Sequence, residues 1–492
     1  MWIAAIGLAL TNFVVILDTT ITNVSIPHIA GGLAISPSQG TWTITSYAVA
    51  EAITVPLSGW LAARFGTLRT LIWAVMGFGL FSLLCGLART IEVLVVMRIL
   101  QGLCGGPIMP MTQTMLVRVF PPEKMTLANA VWAMTAVTAP ILGPLAGGVI
   151  ADNLSWPWIF YINLPVVGLS YLIMAATLGR FENATRRERV DVVGMLLLTA
   201  FAGSLQLVLD LGREHDWFES SLIVSLAVVA VVTFLAFVVW ELTDSHPAVD
   251  LRVLRHRSLA VSLPMMAASY SSLLAMLVMV PLWLQSVMGY AGGAAGQAMA
   301  MQGILAVVCA PVAAAMMQRF DMRLVISLGL VITIVTALMR FGWTTDGDFW
   351  TFASPQLLQG AGLPMIFIGI MTLSMVDVPQ AEFAMAAGLL SFVRTVSGAA
   401  GAALATTGWD AATRASRAEL VGTLHGVEQA AREVPLTGGG GLALIERLVD
   451  AQAATIGSAA VYGVAIIAMV AAMGLVWLMP RAIGTMGSAP GH

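Results

Sequence analysis

Long apolar stretches follow one another along the whole chain, and short polar segments separate them. Within a stretch the apolar residues are continuous and do not alternate with polar ones, which indicates helices rather than the strands of a membrane barrel. Crossing the hydrocarbon core of a bilayer takes roughly 20 mostly apolar residues. Fourteen stretches have about that length: 3–26, 41–63, 70–88, 92–117, 126–150, 158–178, 191–211, 220–241, 259–285, 294–317, 323–343, 350–375, 383–408 and 456–479. The sequence therefore predicts an all-α integral membrane protein with 14 transmembrane helices.

The amino-acid composition also indicates a membrane protein. Of the 492 residues, 59% are hydrophobic and 10% are charged, whereas soluble globular chains carry about 25% charged residues. These figures exclude a soluble enzyme and an intrinsically disordered chain. The net charge of −3 gives no reason to expect nucleic-acid binding. The first stretch lacks a basic leader and contains Asn12 and Asp18, so we interpret it as a membrane span and not as a cleaved signal peptide.

Basic residues are distributed unevenly between the segments that join the stretches. If the N-terminus is cytoplasmic, the short outward segments hold only Arg89 and Arg213. The inward segments and the C-terminal tail then hold fourteen basic residues: Arg64, Arg69, Arg118, Lys124, Arg180, Arg186, Arg187, Arg189, Arg252, Arg255, Arg257, Arg319, Arg323 and Arg481. Because Lys and Arg accumulate on the cytoplasmic side of membrane proteins, we expect both termini in the cytoplasm.

Two short segments recur at nearly the same distance along the chain. Arg64-Phe65 is echoed by Arg319-Phe320 at an offset of 255, and Leu100-Gln101-Gly102 is echoed by Leu358-Gln359-Gly360 at an offset of 258. The two offsets indicate a duplicated six-helix unit with two helices inserted between the copies. Two six-helix halves around a midplane cavity are typical of transporters.

The repeat divides the chain into four parts. We predict an N-terminal six-helix half, a part with two inserted helices and cytoplasmic linkers, a C-terminal six-helix half and a cytoplasmic tail, at 1–178, 179–258, 259–479 and 480–492. The C-terminal half includes a long polar outward segment, 409–455, in which 410–432 and 442–452 could each form an amphipathic helix. This segment is either a solvated loop or a docking site for a partner on the outer side.

Four ionisable residues stand out within the apolar stretches: Asp18, Glu51, Arg98 and Arg394. Each costs about 2.5–3.5 kcal/mol to insert and is a functional candidate by default. At 1.5 Å per helical residue, the first three fall within about two turns of each other in height. An acid near an arginine at that depth can take or release a proton as hydration changes, although a static ion pair would explain the same pattern. Arg394 starts its apolar segment on the inner side and could also snorkel.

Sequence signatures of catalysis and metal binding are absent. Cys85, Cys104 and Cys309 are odd in number and far apart, so they imply no disulfide framework. The chain has no Cys/His cluster with metal-ligand spacing, no HExxH, no Gly-x-Ser-x-Gly and no Walker A sequence. We therefore expect no metal and no cofactor, with a proton gradient rather than ATP as the source of energy. An intramembrane enzyme is the weakest interpretation of this sequence.

The fifth stretch is rich in glycine and proline. Pro140, Gly143, Pro144, Gly147 and Gly148 fall within ten residues. Such a run bends a helix and allows a neighbouring backbone to come close. Ordinary tight helix packing is the alternative explanation.

These features together carry a family resemblance. The chain resembles the 14-helix drug:proton antiporters of the major facilitator superfamily, in particular the EmrB-type multidrug exporters. The resemblance is strong over about residues 12–170 and diffuse to the end. It rests on segments similar to the family's first-helix, loop, fourth-helix and fifth-helix motifs and to their flanks: 17–24, 26–27, 39–46, 59–66, 98–102, 139–148 and 158–165.

The resemblance implies roles for several residues. The family ties its fourth-helix arginine, here Arg98, to proton coupling, and its loop motif, here Gly59, Arg64, Gly66 and Arg69, to gating. It also implies export from the cytoplasm across the bacterial inner membrane, driven by inward proton flow. In Gram-negative bacteria it implies a tripartite machine with a periplasmic adaptor (membrane fusion) protein and an outer-membrane channel.

Three positions depart from the family pattern. Ala63 stands where an acid is usual, Thr67 where a basic residue is usual, and Ala139 where glycine is usual. The first two changes leave the loop motif with a thinner charge network.

The substrate predicted from the resemblance is an amphipathic drug, bound in a cavity with aromatic and methionine surface and few polar groups. The alternative is a dedicated exporter of one native compound, such as a fatty acid, a siderophore or an antibiotic. Candidate substrate contacts, which could equally be packing residues, are Asn12, Phe13, Asn23, Trp42, Gln101, Gln113, Gln285 and Gln359.

Overall fold

The computed structural model describes residues 1–182, 185, 191–244, 247–423 and 440–481, and long α-helices dominate this part of the chain. The helices are α1 (Trp2–Leu33), α2 (Pro37–Thr54), α3 (Ser58–Phe65), α4 (Thr67–Gly86), α5 (Ile91–Gly105), α6 (Ile108–Val119), α7 (Pro122–Asn153), α8 (Trp158–Tyr161), α9 (Asn163–Thr177), α10 (Val192–Leu211), α11 (Ser221–Thr243), α12 (Arg257–Ser286), α13 (Gly292–Arg319), α14 (Met322–Phe341), α15 (Phe349–Ser374), α16 (Phe383–Thr423) and α17 (Gly440–Val476).

Twelve helices in the described residues are long and apolar enough to cross a bilayer. Two predicted spans, 41–63 and 126–150, are not among the twelve. The first is divided into α2 and α3 because Pro56 has no N–H for the helical ladder. The second lies within the 32-residue helix α7. The all-α membrane architecture is confirmed, and the count of 14 spans stays a prediction.

One close helix contact occurs in both parts of the repeat. A Cβ atom built on Gly102 of α5 would lie 2.5 Å from the carbonyl oxygen of Tyr47 on α2. A Cβ on Gly360 of α15 would lie closer still to the carbonyl oxygen of Gln302 on α13. The glycines are 258 positions apart and their neighbours 255, which are the offsets of the sequence repeat. A duplicated unit would produce this recurrence, although the boundaries of the halves stay predictions.

The two parts of the repeat are packed together at the end where the basic segments lie. A Cβ on Gly59 of α3 would lie 2.9 Å from Cα of Met385 on α16. The side-chain amide of Asn129 on α7 donates to Oγ1 of Thr372 on α15 over 3.2 Å. The molecule is therefore closed at its predicted cytoplasmic end.

Helices α10 and α11, the predicted insertion, lie along one side of the bundle. Phe201 of α10 packs on Phe234 of α11, with ring centroids 4.9 Å apart, and on Phe392 of α16 at 6.1 Å. At the predicted outer end, Arg213 pairs with Asp410 at 2.9 Å. The predicted insertion thus contacts α16 along the bundle and at its predicted outer end.

The described residues of the predicted outward segment, 409–423 and 440–455, are helical. α16 continues its span as far as Thr423, and α17 begins at Gly440. Arg417 bridges the two helices, with 2.5 Å to Asp450 and 3.3 Å to Glu446. The predicted helix 442–452 lies within α17, and 410–423 of the other lies within α16; residues 424–439 lie outside the described part of the chain.

Candidate functional site: a buried ion pair and its surroundings

Asp18 and Arg98 form an ion pair in the interior of the helix bundle. Asp18 lies on α1 and Arg98 on α5, and Oδ2 of the acid is 2.5 Å from Nη1 of the arginine. Both side chains are 0% exposed. The predicted depths of the two residues were similar, and the structure brings them into contact. A charge pair this deep survives only when its remaining lone pairs and protons are bonded as well.

Further hydrogen bonds surround the Asp18 carboxylate. Asn163 on α9 donates its side-chain amide to Oδ1 at 2.6 Å, and Gln101 donates to the same oxygen at 3.2 Å. Gln101 also accepts from Nη1 of Arg98 at 2.9 Å. These four residues, Asp18, Arg98, Gln101 and Asn163, are hereafter the Asp18 network. The network joins three helices through one carboxylate.

The arginine of the Asp18 network is fixed from two more sides. Its Nε donates to the carbonyl oxygen of Thr43 at 2.9 Å. Its guanidinium lies 4.4 Å from the ring centroid of Tyr47 and 5.6 Å from that of Phe160. Aromatic faces attract a cation without offering it a proton acceptor. Asp18 is therefore the one acid among the four residues of the network.

Glu51 and Arg394 lie beside the Asp18 network, at the boundary between the two parts of the repeat. The Glu51 carboxylate on α2 interacts electrostatically with Arg394 on α16, and also with Arg98 and Asp18. Arg394 is 8% exposed, so the structure buries it and does not let it snorkel. Its guanidinium lies 5.1 Å from the ring centroid of Tyr270 on α12. Glu51 and Arg394 thus interact electrostatically across the boundary.

Nη2 of Arg394 also contacts the sulfur of Met109 on α6. Met109 is 4% exposed and belongs to the N-terminal part of the repeat. The arginine therefore reaches across the boundary by contact as well as by charge.

The loop motif is stabilised by an acid that lies elsewhere in the sequence. Gly66 has φ +95°, a conformation that favours glycine. Glu182, after α9, accepts the backbone N–H groups of Leu68 at 3.1 Å and Arg69 at 3.0 Å. A carboxylate at these amides caps α4 and complements its dipole. Sequence reasoning missed Glu182, since nothing near the motif pointed to a residue 114 positions away from Leu68.

The two arginines of the loop motif, Arg64 and Arg69, make different contacts. The Arg64 guanidinium lies 5.5 Å from the ring centroid of Trp60 and 5.7 Å from that of Phe65. The Arg69 side chain is exposed, and its backbone amide is the part that joins the cap. Gly59 supplies the contact with Met385 described above.

The glycines of the fifth stretch bring α7 close to α1. A Cβ on Gly143 would overlap the side chain of Thr20, and one on Gly147 would lie 3.2 Å from the carbonyl oxygen of Ile21. These close approaches agree with the packing that the pattern predicts. The surroundings of Pro140, Pro144 and Gly148 lie outside the described part of the structure.

The eight candidate substrate contacts do not form one cluster. Asn12 is buried and donates to Thr135 of α7 at 2.7 Å. Phe13 is half-buried on α1, and Gln113 of α6 is 2% exposed. Asn23, Trp42 and Gln285 are exposed, and the Gln285 amide bonds to its own helix. The amides of Gln101 and Gln359 are engaged by buried arginines.

A further buried arginine, Arg340, was missed by sequence reasoning. It is 1% exposed and donates to Gln356 at 2.9 Å and to Gln359 at 2.5 Å, both on α15. Its Nη1 lies 3.2 Å from the sulfur of Met276 on α12. Arg340 is three residues from the end of its predicted span, where a basic residue is expected to reach the membrane surface. The repeated Leu-Gln-Gly segment was the one pointer to this region.

The Major Facilitator Superfamily model matches residues 8–402. The chain belongs to this superfamily. It is 40% identical over 408 residues to the multidrug export protein EmrB of Escherichia coli K12, covering 83% of this chain and 80% of that one. It is 37% identical over 484 residues to the fatty acid resistance protein FarB of Neisseria gonorrhoeae, covering 97% and 95%.

A solved structure shows the same fold. The proton:xylose symporter XylE matches with a TM-score of 0.62 and 12% identity over 98% of this chain and 97% of that chain. The family model and the 40% identity to EmrB make the chain a multi-pass transporter of the major facilitator superfamily and not an enzyme, so the intramembrane-enzyme interpretation is wrong.

Proposed function

We propose that this transporter exports amphipathic drugs from the cytoplasm in exchange for protons, by alternating access. The observation that carries the proposal is the fully buried Asp18–Arg98 pair. The 40% identity to multidrug export protein EmrB supports the choice of substrate class. The proposal includes 14 spans in the bacterial inner membrane, with both termini cytoplasmic, which the distribution of basic residues favours.

Protonation of Asp18 is the proposed coupling step. A proton on this carboxylate removes the negative charge that balances Arg98 and turns one oxygen from an acceptor into a donor. Gln101 and Asn163 both donate to Oδ1, so a proton placed there would have to displace one of them. The contacts between α1, α5 and α9 then change together. A proton can shift the balance between two conformations only through such a difference in contacts.

Glu51 provides a second and weaker electrostatic contribution to the proposed conformational change. Its attraction to Arg394 acts across the boundary between the two parts of the repeat, which are in contact at the predicted cytoplasmic end. Neutralising Glu51 would weaken that attraction and favour separation of the parts on the cytoplasmic side. We propose that Asp18 carries the transported proton and that Glu51 and Arg394 adjust the opening.

The hairpin of α16 and α17 is the proposed docking site for a periplasmic adaptor, through which the transporter would reach an outer-membrane channel. The bridge from Arg417 to Asp450 and Glu446 stiffens this hairpin. We expect shortening of 409–455 to abolish co-purification of the adaptor while leaving transport in vesicles intact. Undiminished co-purification would contradict this part of the proposal.

The main experiment measures dye efflux and internal pH together in proteoliposomes under an imposed pH gradient. The native protein should move dye against its gradient with proton influx, and Asp18→Asn should do neither. Asp216→Asn, at an exposed acid on an outer connection, is the matched control and should behave as the native protein. Dye movement without proton influx in the native protein would overturn the coupling.

The alternative function is dedicated export of one native compound, and the likeness to fatty acid resistance protein FarB over 97% of the chain favours a fatty acid. The same vesicles offered long-chain fatty acids and dyes in parallel would separate the two. Proton influx elicited by fatty acids alone would favour the dedicated exporter.

A further inference from the structure

Arg340 has a permanent charge but no carboxylate partner among the residues that the structure describes. Its hydrogen-bond acceptors are two amide oxygens, of Gln356 and Gln359, and the sulfur of Met276. The acids that follow in the chain do not reach it: Asp346 is exposed, and Asp348 caps α15 by bonding to Thr351. Burying a cation without a counter-charge costs several kcal/mol even after relaxation.

The unsatisfied groups around Arg340 are mostly hydrogen-bond donors. The structure gives no partner to Nε of Arg340, to the amide nitrogen of Gln356, to the indole N–H of Trp343 or to the hydroxyl of Tyr462. All four residues are at most 4% exposed. The Arg340 guanidinium is 6.0 Å from the Tyr462 ring centroid, and the Tyr462 and Trp343 rings are 6.1 Å apart. A surplus of donors around one cation is complementary to an anion.

Aromatic rings separate this group from water at the outer end of the bundle. Trp343 packs on Trp283 at 5.2 Å and on Phe352 at 5.1 Å between ring centroids. Trp283 and Phe352 are 0% exposed. The surroundings have a low dielectric constant, in which a charge-assisted hydrogen bond is stronger than in water. Water alone would satisfy the donors but would leave the charge of Arg340 unbalanced.

We propose that Arg340, Gln356, Trp343 and Tyr462 form a binding site for a small monovalent anion. The anion is either a free halide or the carboxylate end of an amphipathic acid, since both offer one negative charge and several acceptor positions. Arg340 provides the counter-charge, and the three neutral side chains donate from its flanks. The site lies in the C-terminal part of the repeat and does not depend on proton coupling at Asp18.

Bromide is the probe, because it quenches tryptophan fluorescence on contact and would lie beside Trp343. Purified full-length protein in neutral-lipid nanodiscs is titrated with sodium bromide, with sodium methanesulfonate keeping the ionic strength constant. The native protein should show a saturable component of quenching. Arg340→Gln should lose it or shift its midpoint by about tenfold or more, as expected when a charge-assisted bond is lost. Arg89→Gln, at an exposed arginine, should leave the component unchanged.

A second variant covers the case in which Arg340→Gln does not fold. Tyr462→Phe removes a single donor and should weaken bromide binding several-fold while the protein remains monodisperse. Equal saturable quenching in the native protein, Arg340→Gln and Tyr462→Phe would overturn the site, and so would purely linear quenching in the native protein. Decanoate then identifies the source: displacement of bromide assigns the site to carboxylates of amphipathic acids, and its failure to displace bromide assigns it to halides.

Discussion

The two parts of the repeat contain the same arrangement of interacting positions with different charges. Asp18, Arg98 and Gln101 are each 258 positions before Met276, Gln356 and Gln359, and Cys85 is 255 before Arg340. In the N-terminal part, Gln101 bonds to Asp18, and Cys85 contacts Gln101 at 3.5 Å. In the C-terminal part, Gln359 contacts Met276 at 3.5 Å, and Arg340 bonds to Gln359.

The two clusters differ in whether they contain an acid that can gain or lose a proton. The N-terminal cluster holds an acid and an arginine, so a proton changes its net charge from neutral to positive. The C-terminal cluster has methionine in place of the acid, and its arginine stays protonated at any physiological pH. One arrangement of positions therefore holds a buried acid–arginine pair in one part and an arginine without a carboxylate partner among the described residues in the other. This division explains why we place coupling in the N-terminal part and anion binding in the C-terminal part.

The largest expected effect comes from removing the acid. Asp18→Asn leaves Arg98 buried without a counter-charge, which we expect to cost about 3 kcal/mol or more of folding stability and to abolish pH-driven efflux. Arg98→Gln combined with Asp18→Asn should recover stability but not efflux, since the charge left unpaired is gone while the titratable acid is still missing. Thermal unfolding and proteoliposome efflux measure the two effects. Efflux by Asp18→Asn at the native rate would contradict the assignment.

Gly102 and Gly360 make matching close contacts in the two parts of the repeat. Alanine substitutions at the two positions therefore test whether the two parts are packed equally tightly. Gly102→Ala and Gly360→Ala each force a methyl group onto a carbonyl oxygen of the neighbouring helix, so both should lower stability by about 1–3 kcal/mol. Gly168→Ala on α9 is the control, because no atom lies within 4 Å of the added Cβ. Loss of Tm in one glycine variant alone would show that the close approach matters in only one part.

Much of this architecture could be predicted from single stretches of sequence. Apolar length predicted the helices, and an acid and an arginine at matching depth predicted the Asp18–Arg98 pair. Partners supplied by other helices could not be predicted: nothing in the sequence places Asn163 on Asp18 or Glu182 on the start of α4. The partners are 145 and 114 positions apart and become neighbours only through the packing of the helices.

Arg340 shows a second reason for failure. Helical side chains point toward the N-terminus of their own helix, and α14 runs toward the predicted outer face. A residue at the end of this helix therefore turns its guanidinium back into the bundle rather than out to the surface. The position of Arg340 near the end of its stretch predicted an exposed side chain. The direction of the side chain along the helix explains why it is buried instead.

Giving the C-terminal cluster an acid would make the two parts more alike. Met276→Asp places a carboxylate where Met276 sulfur already meets Nη1 of Arg340. The new ion pair should balance the charge of Arg340 and remove the saturable bromide quenching. Met276→Leu, which has no charge, should keep it. Bromide binding unchanged by Met276→Asp would mean that the anion is held away from the guanidinium.

The smallest expected effect concerns the cap on α4. The corresponding helix of the C-terminal part, α14, receives no cap from a distant acid among the contacts that the structure describes. Asp321 caps α14 from its own N-terminus, accepting from Arg323, whereas α4 takes its cap from Glu182 in a distant linker. Glu182→Gln keeps the shape but removes the charge that complements the helix dipole, so stability should fall by about 0.3–1 kcal/mol. Glu214→Gln, at an exposed acid, should leave Tm unchanged. A fall in efflux larger than the fall in stability would show that the distant cap also takes part in gating, since a merely structural cap would lower both together.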